Sequence, residues 1–477
     1  MLFNSPEFLV FLPVVFGLYW FVAQRHLKAQ NLLLLAASYT FYGWWDWHFL
    51  GLIALSTAVD FFIGIRMEQA EDRTQRKRWL WASFAVNLGI LGYFKYANFF
   101  VDNWITAWQS VGVTMHAATT SIILPVGISF YTFQTLSYTI DIHRGKLKAT
   151  KDPVAFAAFV AFFPQLVAGP IERATNLLPQ ISAPRSFTFE QGRDGLRLIL
   201  WGLFKKVVVA GTCAPYVDMC WAEPSAAAGS TLLLGIFLFA FQLYADFSGY
   251  SDIAIGTAKL FGFELMTNFK FPLLARNFAE FWRNWHVSLN TWLIDYVFMP
   301  MVLAWRKAGK TSIVLAILVT FTLSGLWHGA NWTFILWGVL NALLFLPFAL
   351  NGALRRNNSD VVAQGRWLPS PLETIQVAGT FTTLSVLCVF FRAPDLAAAL
   401  AQFQHLTHQL LTLPMEAPEH SAAFIGTMMG MEFVNREQPR RPLHLPWVPL
   451  RWAAYIILAY FIIDRFNSEE AFIYFQF

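Results

Sequence analysis

Apolar residues run along this chain in long stretches with few charges, and the polar residues collect in the gaps between them. A stretch of about 20 apolar residues is what a helix needs to cross a bilayer core. The pattern predicts membrane spans near 8–24, 29–45, 48–65, 79–96, 121–140, 196–216, 229–246, 288–305, 312–328, 331–350, 374–391 and 449–464. A further apolar piece, 153–170, holds Pro164, Gly169 and Pro170, which break helices and predict a re-entrant or half-spanning segment. The expectation is an all-α, polytopic membrane protein with ten to twelve full spans. Three polar segments interrupt it: 170–197, 268–287 and 403–447. The last reads as an exposed loop, extracytoplasmic in this topology. No repeat and no coiled-coil pattern is visible, and residues 1–477 read as one membrane-embedded domain.

Composition agrees. The 477 residues are 56% hydrophobic and 13% charged, where soluble domains carry about 25% charged residues. Forty-eight Phe and twenty Trp suit a lipid-facing surface with interfacial aromatic belts. The first apolar stretch has no basic leader and no small-residue cleavage site, so it reads as a retained span. The net charge of +5 lies in loops, which fits orientation in a bilayer and excludes nucleic acid as the partner. Basic clusters at Arg25 and Lys28, at Arg66 through Arg78, and at His143 through Lys151 alternate with loops poor in positive charge. The positive-inside rule places these clusters in the cytoplasm and the first residues outside. Of the three cysteines, Cys213 and Cys220 read as apolar membrane thiols in preference to a disulfide, and no metal-ligand spacing appears.

Candidate chemistry gathers at a few points. His328 lies in LSGLWHGANWTF, between two apolar stretches and flanked by Gly325, Trp327, Gly329 and Asn331. A histidine at membrane depth is costly and faces a cavity or a partner. As neutral imidazole it can take a proton from a hydroxyl; the competing reading is a residue that only ties helices together. His286 lies in EFWRNWHVSLNTW, with Arg283 three residues before it and Glu280 three before that. A helix here would align all three on one face. Arg283, beside Trp282 and Trp285, suits a phosphate-bearing donor, or an anchor in lipid headgroups. The run FQLYADFSGYSDIAIG brings Asp246, Tyr250, Ser251 and Asp252 to the end of an apolar span, for substrate binding or helix coupling; an ion held by Asp246 and Asp252 is the lesser reading. Pro125, Gly127, Gln134 and Gln165 read as packing around a broken helix. No nucleophile elbow, P-loop or dinucleotide fingerprint appears.

The chain resembles the membrane-bound O-acyltransferase family, in the alginate O-acetylase branch that also contains the teichoic-acid D-alanylation protein. The resemblance runs nearly end to end, through LFNSPEFLVFLPVVFGLYW, ASYTFYGWWDW, GYFKYANFF, LPVGISFYTFQTLSYTIDIHRG, FFPQLVAGPIER, LFKKVVVA, YADFSGYSDIAIG, NFKFPLLARNFAEFWRNWHVSLNTWLIDYVFMP and LSGLWHGANWTFILWG to FIYFQF. It implies a ring of transmembrane helices around a central cavity. It places the family's near-invariant histidine at His328 and its second histidine at His286. Arg283, Asn331, Asp246, Trp327 and Tyr250 are the expected substrate-binding residues, with no bound metal or cofactor expected; the resemblance implies acetyl-CoA as the donor. It implies an O-acyltransferase of the bacterial inner membrane that supplies acetyl groups to an exported polysaccharide. The implied partners are a periplasmic SGNH-type acetyltransferase and secretion machinery. D-alanyl transfer to teichoic acid and a non-enzymatic transporter are the alternatives. Two departures mark this sequence: Arg306, Lys307 and Lys310 follow DYVFMP without the usual Gly-Gly, and Asn341 stands where the branch commonly has His.

Overall fold

The computed structural model describes residues 1–114, 122–222, 228–352, 361–409 and 417–466. The FIYFQF terminus, part of the 403–447 segment and the first residue of the 121–140 span lie outside the described residues. Among those described, the protein is all-α. Seven helical stretches are long and apolar enough to cross a membrane: Leu27–Gln69, Phe189–Ala222, Gly229–Leu260, Val287–Ala304, Lys310–His328, Trp332–Leu350 and Pro371–Arg392. The first, 43 residues long, holds both spans predicted near 29–45 and 48–65. The stretches predicted near 8–24, 121–140 and 449–464 form shorter helices, Pro6–Gly17, Ile128–His143 and Val448–Asp464. Large apolar side chains face outward, as Ile456 (66% exposed) and Ile463 (76% exposed) do on Val448–Asp464. Such an outer surface is stable against lipid and not against water. Cys213, Cys220 and Cys388 are free thiols.

Two compact units form. The first comprises Met1–Arg193 with Thr257–Met266. Its centre is polar. Asp60 accepts hydrogen bonds from Ser83 and from Asn87, both at 2.7 Å, and Asn87 Oδ1 accepts from Ser56 and Thr135. In a membrane interior these bonds have no replacement, and together they hold three helices. Within 153–170, Asp152 caps Pro153–Val160 by accepting from Val154 and Ala155 backbone N–H groups. After Val160 the chain continues through buried turns, where Pro164 ends helical pairing.

Glu172 follows these turns and is buried, accepting from Asn176 Nδ2 at 2.6 Å and from the Met266 backbone N–H. Burial pushes its carboxyl up from the usual range to about 7. The folded value exceeds the unfolded one, so its contribution to stability is fully present below the unfolded value and is lost as pH rises through about 7. Thermal unfolding in detergent should therefore shift to lower temperature as pH rises from 5 to 8. E172Q should flatten that dependence; an unchanged slope would refute the assignment.

The second unit comprises Asp194–Gly256 with Thr267–Phe477. Two of its helices touch backbone to backbone at glycines. A methyl group on Gly249 would lie 2.6 Å from the Gly202 carbonyl oxygen, and one on Gly256 2.5 Å from that of Gly195. Both pairs sit seven residues apart on antiparallel helices, so the crossing keeps one register. It is here that Phe189–Ala222 loosens into a π-helical turn, Phe204–Ala210. Lys205 and Lys206 are both buried within this turn. Lys205 Nζ meets Asp252 at 2.7 Å and Ser248 Oγ at 2.9 Å, and Lys206 Nζ pairs with Asp246.

The 403–447 segment is not a loop throughout. Helix Ser421–Val434 divides it, with Glu432 buried and accepting from Tyr244 Oη at 2.8 Å. Beyond that helix, Arg441 lies 3.6 Å from Asp194, and Arg440 donates to Thr267. Groups this close cannot face opposite sides of a core about 30 Å thick. The last part of the segment thus shares the side on which Asp194 lies.

Candidate active site

The site forms in the second unit around the stretch NFKFPLLARNFAEFWRNWHVS. Asn277 caps a short helix, Phe278–Asn284, by accepting from the Glu280 N–H at 2.9 Å. Glu280 pairs with Arg276 at 3.0 Å. The helix ends at Asn284, so the expected single face of Glu280, Arg283 and His286 does not form. Instead the chain turns sharply, and His286 adopts left-handed backbone angles (φ 44°, ψ 50°) before Val287–Leu293 begins. A Cβ makes this conformation costly, and such strain concentrates at functional sites.

Hydrogen bonds to Asn268 hold the turn. The Val287 N–H donates to the Asn268 carbonyl at 2.8 Å, and the Lys270 N–H to that of Asn284 at 3.0 Å. Asn268 Oδ1 lies 2.9 Å from His286 Nδ1 and accepts from Ser288 Oγ at 2.9 Å. Asn268 Nδ2 donates to Ser251 Oγ at 3.0 Å. His286 is only 1% exposed, and its Nε2 has no hydrogen-bond partner among the described residues. Burial disfavours the imidazolium here, ahead of the apolar stretch Val287–Ala304.

His328 is the last residue of Lys310–His328, and Gly329 turns the chain into extended backbone. The next helix returns against it at the closest range: a methyl group on Gly325 would strike the Phe334 carbonyl, and one on Gly338 that of Phe321. The His328 ring meets Trp337 edge-on at 5.4 Å and Phe391 at 5.1 Å. It lines a small cavity of about 40 Å³ with Trp282, Trp285, Leu384 and Cys388.

Trp327 connects the two histidines. Its ring centroid lies 5.9 Å from that of His286 and 4.9 Å from that of His328. The structure thus gathers His286, Trp327 and His328 into one aromatic cluster. Trp282 lines the His328 cavity and also an apolar cavity of about 310 Å³, whose wall includes Arg283, Asn290 and Phe321. Arg283 is exposed on that wall.

The other expected binding residues have structural duties. Asn331 caps Trp332–Leu350 through the Thr333 N–H and donates to the Pro394 carbonyl at 2.6 Å. Asp246 pairs with Lys206, and Tyr250 is buried one turn further along the same helix. Asp246 and Asp252 each meet a lysine. Among the described residues no group of three or more His, Cys, Asp or Glu is placed to hold a metal. Sequence reasoning missed Asn268, Lys205, Lys206 and Glu432. Two adjacent lysines inside an apolar run were a readable signal; Asn268 had none.

A profile of the membrane-bound O-acyltransferase family matches residues 150–391, which include both histidines and Asn268. A probable alginate O-acetylase, AlgI, of Pseudomonas aeruginosa is 40% identical over 475 residues, covering 98% of this chain and 83% of its own. The chain belongs to the membrane-bound O-acyltransferase family. A probable alginate O-acetylase of Azotobacter vinelandii is 42% identical over 401 residues, 84% of this chain and 76% of that one. A peptidoglycan O-acetyltransferase of Helicobacter pylori is 29% identical, covering all of this chain and 98% of its own. Among the described residues, the cluster around His328 and His286 is the one place where two buried imidazoles meet a common aromatic ring.

Proposed function

We propose that this acyltransferase moves acetyl groups from acetyl-CoA, in the cytoplasm, for O-acetylation of an exported polysaccharide of the alginate kind, from the bacterial inner membrane. The observation that carries the reading is the His286–Trp327–His328 cluster, with a small cavity at His328. In this mechanism His328 accepts the proton of the acceptor hydroxyl as its oxygen attacks the thioester carbonyl. The tetrahedral intermediate collapses, the C–S bond breaks, and the departing thiolate takes up a proton. His286 orients the reactants or relays that proton through Nε2. Arg283, on the wall of the larger cavity, suits the phosphates of the donor. Final transfer to the polymer by a periplasmic SGNH-type partner, working with secretion machinery, is part of this proposal.

The branch relationship supports acetyl transfer to a polysaccharide, since the AlgI proteins share 40% identity or more with this chain in the two cases above. The full-length similarity to a peptidoglycan O-acetyltransferase makes peptidoglycan the second acceptor to test. The test compares a deletion strain with its complemented parent. O-acetyl is measured on purified exopolysaccharide and on peptidoglycan, and ester-linked D-alanine on the envelope. Exopolysaccharide acetyl lost on deletion and restored by the chain is the expected result. Loss of peptidoglycan acetyl or of D-alanine alone would replace this reading with the corresponding acceptor, and no change in any ester would leave transport as the surviving reading.

A further inference from the structure

We propose that Asn268 is the positioning residue that fixes the tautomer of His286 and leaves Nε2 as the nitrogen that exchanges a proton. The inference deepens the reading of His286 given above and rests on it for its catalytic meaning. Asn268 grips three successive residues: its carbonyl takes the Val287 N–H, and its Oδ1 faces both His286 Nδ1 and Ser288 Oγ at 2.9 Å. In the structure the amide turns its Nδ2 toward Ser251 Oγ, 3.0 Å away on helix Gly229–Leu260. With the nitrogen committed there, the atom facing His286 is an acceptor. Nδ1 must therefore carry the hydrogen, and neutral imidazole then has its lone pair on Nε2.

That nitrogen is buried and has no hydrogen-bond partner among the described residues. A buried polar atom left unpaired costs stability unless function retains it. The backbone agrees: His286 is held in a left-handed conformation, and the Val287–Asn268 bond closes the turn that creates it. An acceptor held against one ring nitrogen in this way orients the other. Ser251 and Ser288 complete it by filling the remaining bonds of Asn268.

The test follows the ring itself. Protein carrying 15N-histidine is placed in bilayers, and solid-state NMR signals of His286 are assigned by their loss in H286A. Wild type is expected to show protonated Nδ1 and unprotonated Nε2. N268L should give a mixture of tautomers. N268D, which keeps the acceptor and adds charge, should hold the Nδ1–H tautomer and raise the pH at which the ring charges by about 1–3 units. In acetyl transfer from labelled acetyl-CoA, the acid limb of N268D should move up by the same amount, while N268L loses kcat with little change in KM. An unchanged tautomer in N268L, or an unchanged titration in N268D, overturns the proposal. Full activity in H286A would instead defeat the catalytic reading of His286 and leave the tautomer result standing.

Discussion

An H328A variant is expected to lose acyl transfer by about 10²–10⁴-fold, the range typical for removing a general base. The loss should fall on kcat. Nothing else in the walls of the His328 cavity can take its place: Trp282, Trp285 and Trp337 are indoles that donate and do not accept, and Leu384 and Phe391 have no polar atom. Cys388 is the one other titratable side chain described on that wall, and its thiol sulfur is only a weak acceptor. The variant should stay folded. His328 sits at the end of its helix, and the glycine contacts at Gly325 and Gly338 that join the two helices do not involve its side chain. The measurement is initial rate of acetyl transfer at membrane levels matched by size-exclusion of the detergent extract. A rate within threefold of wild type would remove His328 from the chemistry. For His286 the matching variant is H286N and not H286A, since Asn tolerates left-handed backbone angles that cost Ala more.

His328 was legible because its signal is local. Glycines at 325 and 329 mark a close approach, Asn331 marks the next helix start, and a polar residue between apolar runs marks a cavity or a contact. The apolar runs likewise located most helices. His286 was half legible. Its residue type and aromatic neighbours stood out, but periodicity placed it on a helical face that the left-handed turn abolishes. That turn depends on Asn268, eighteen residues away, through hydrogen bonds that no local pattern encodes. Helix Ser421–Val434 was hidden for a related reason. It has only 14 residues, short of a full span, and carries Glu432. A carboxylate argues against a buried helix until its partner, Tyr244 on a distant helix, is known. Local sequence thus revealed what each element buries, and missed what long-range polar pairs allow it to bury.

The same principle predicts the largest effect on stability, at Lys206. Replacing it with Met should destabilise the protein by about 3–5 kcal/mol, because Asp246 would lose the cation that compensates its charge. Both side chains are buried, 5% and 8% exposed, and the helices that carry them touch at Gly202 and Gly249. A Met side chain nearly matches the volume of Lys, so packing changes little and the cost is electrostatic. The partner substitution separates the two. Removing the carboxylate as well, in K206M/D246L, should recover most of the loss, since a buried pair exchanged for apolar residues is often neutral. D246L alone should fail as K206M does, by stranding the lysine. Folded yield and thermal unfolding in detergent report all three. Equal loss in the double variant would mean that the pair holds more than itself, and the neighbouring pair of Lys205 with Asp252 and Ser248 would then be the place where the helix crossing is secured.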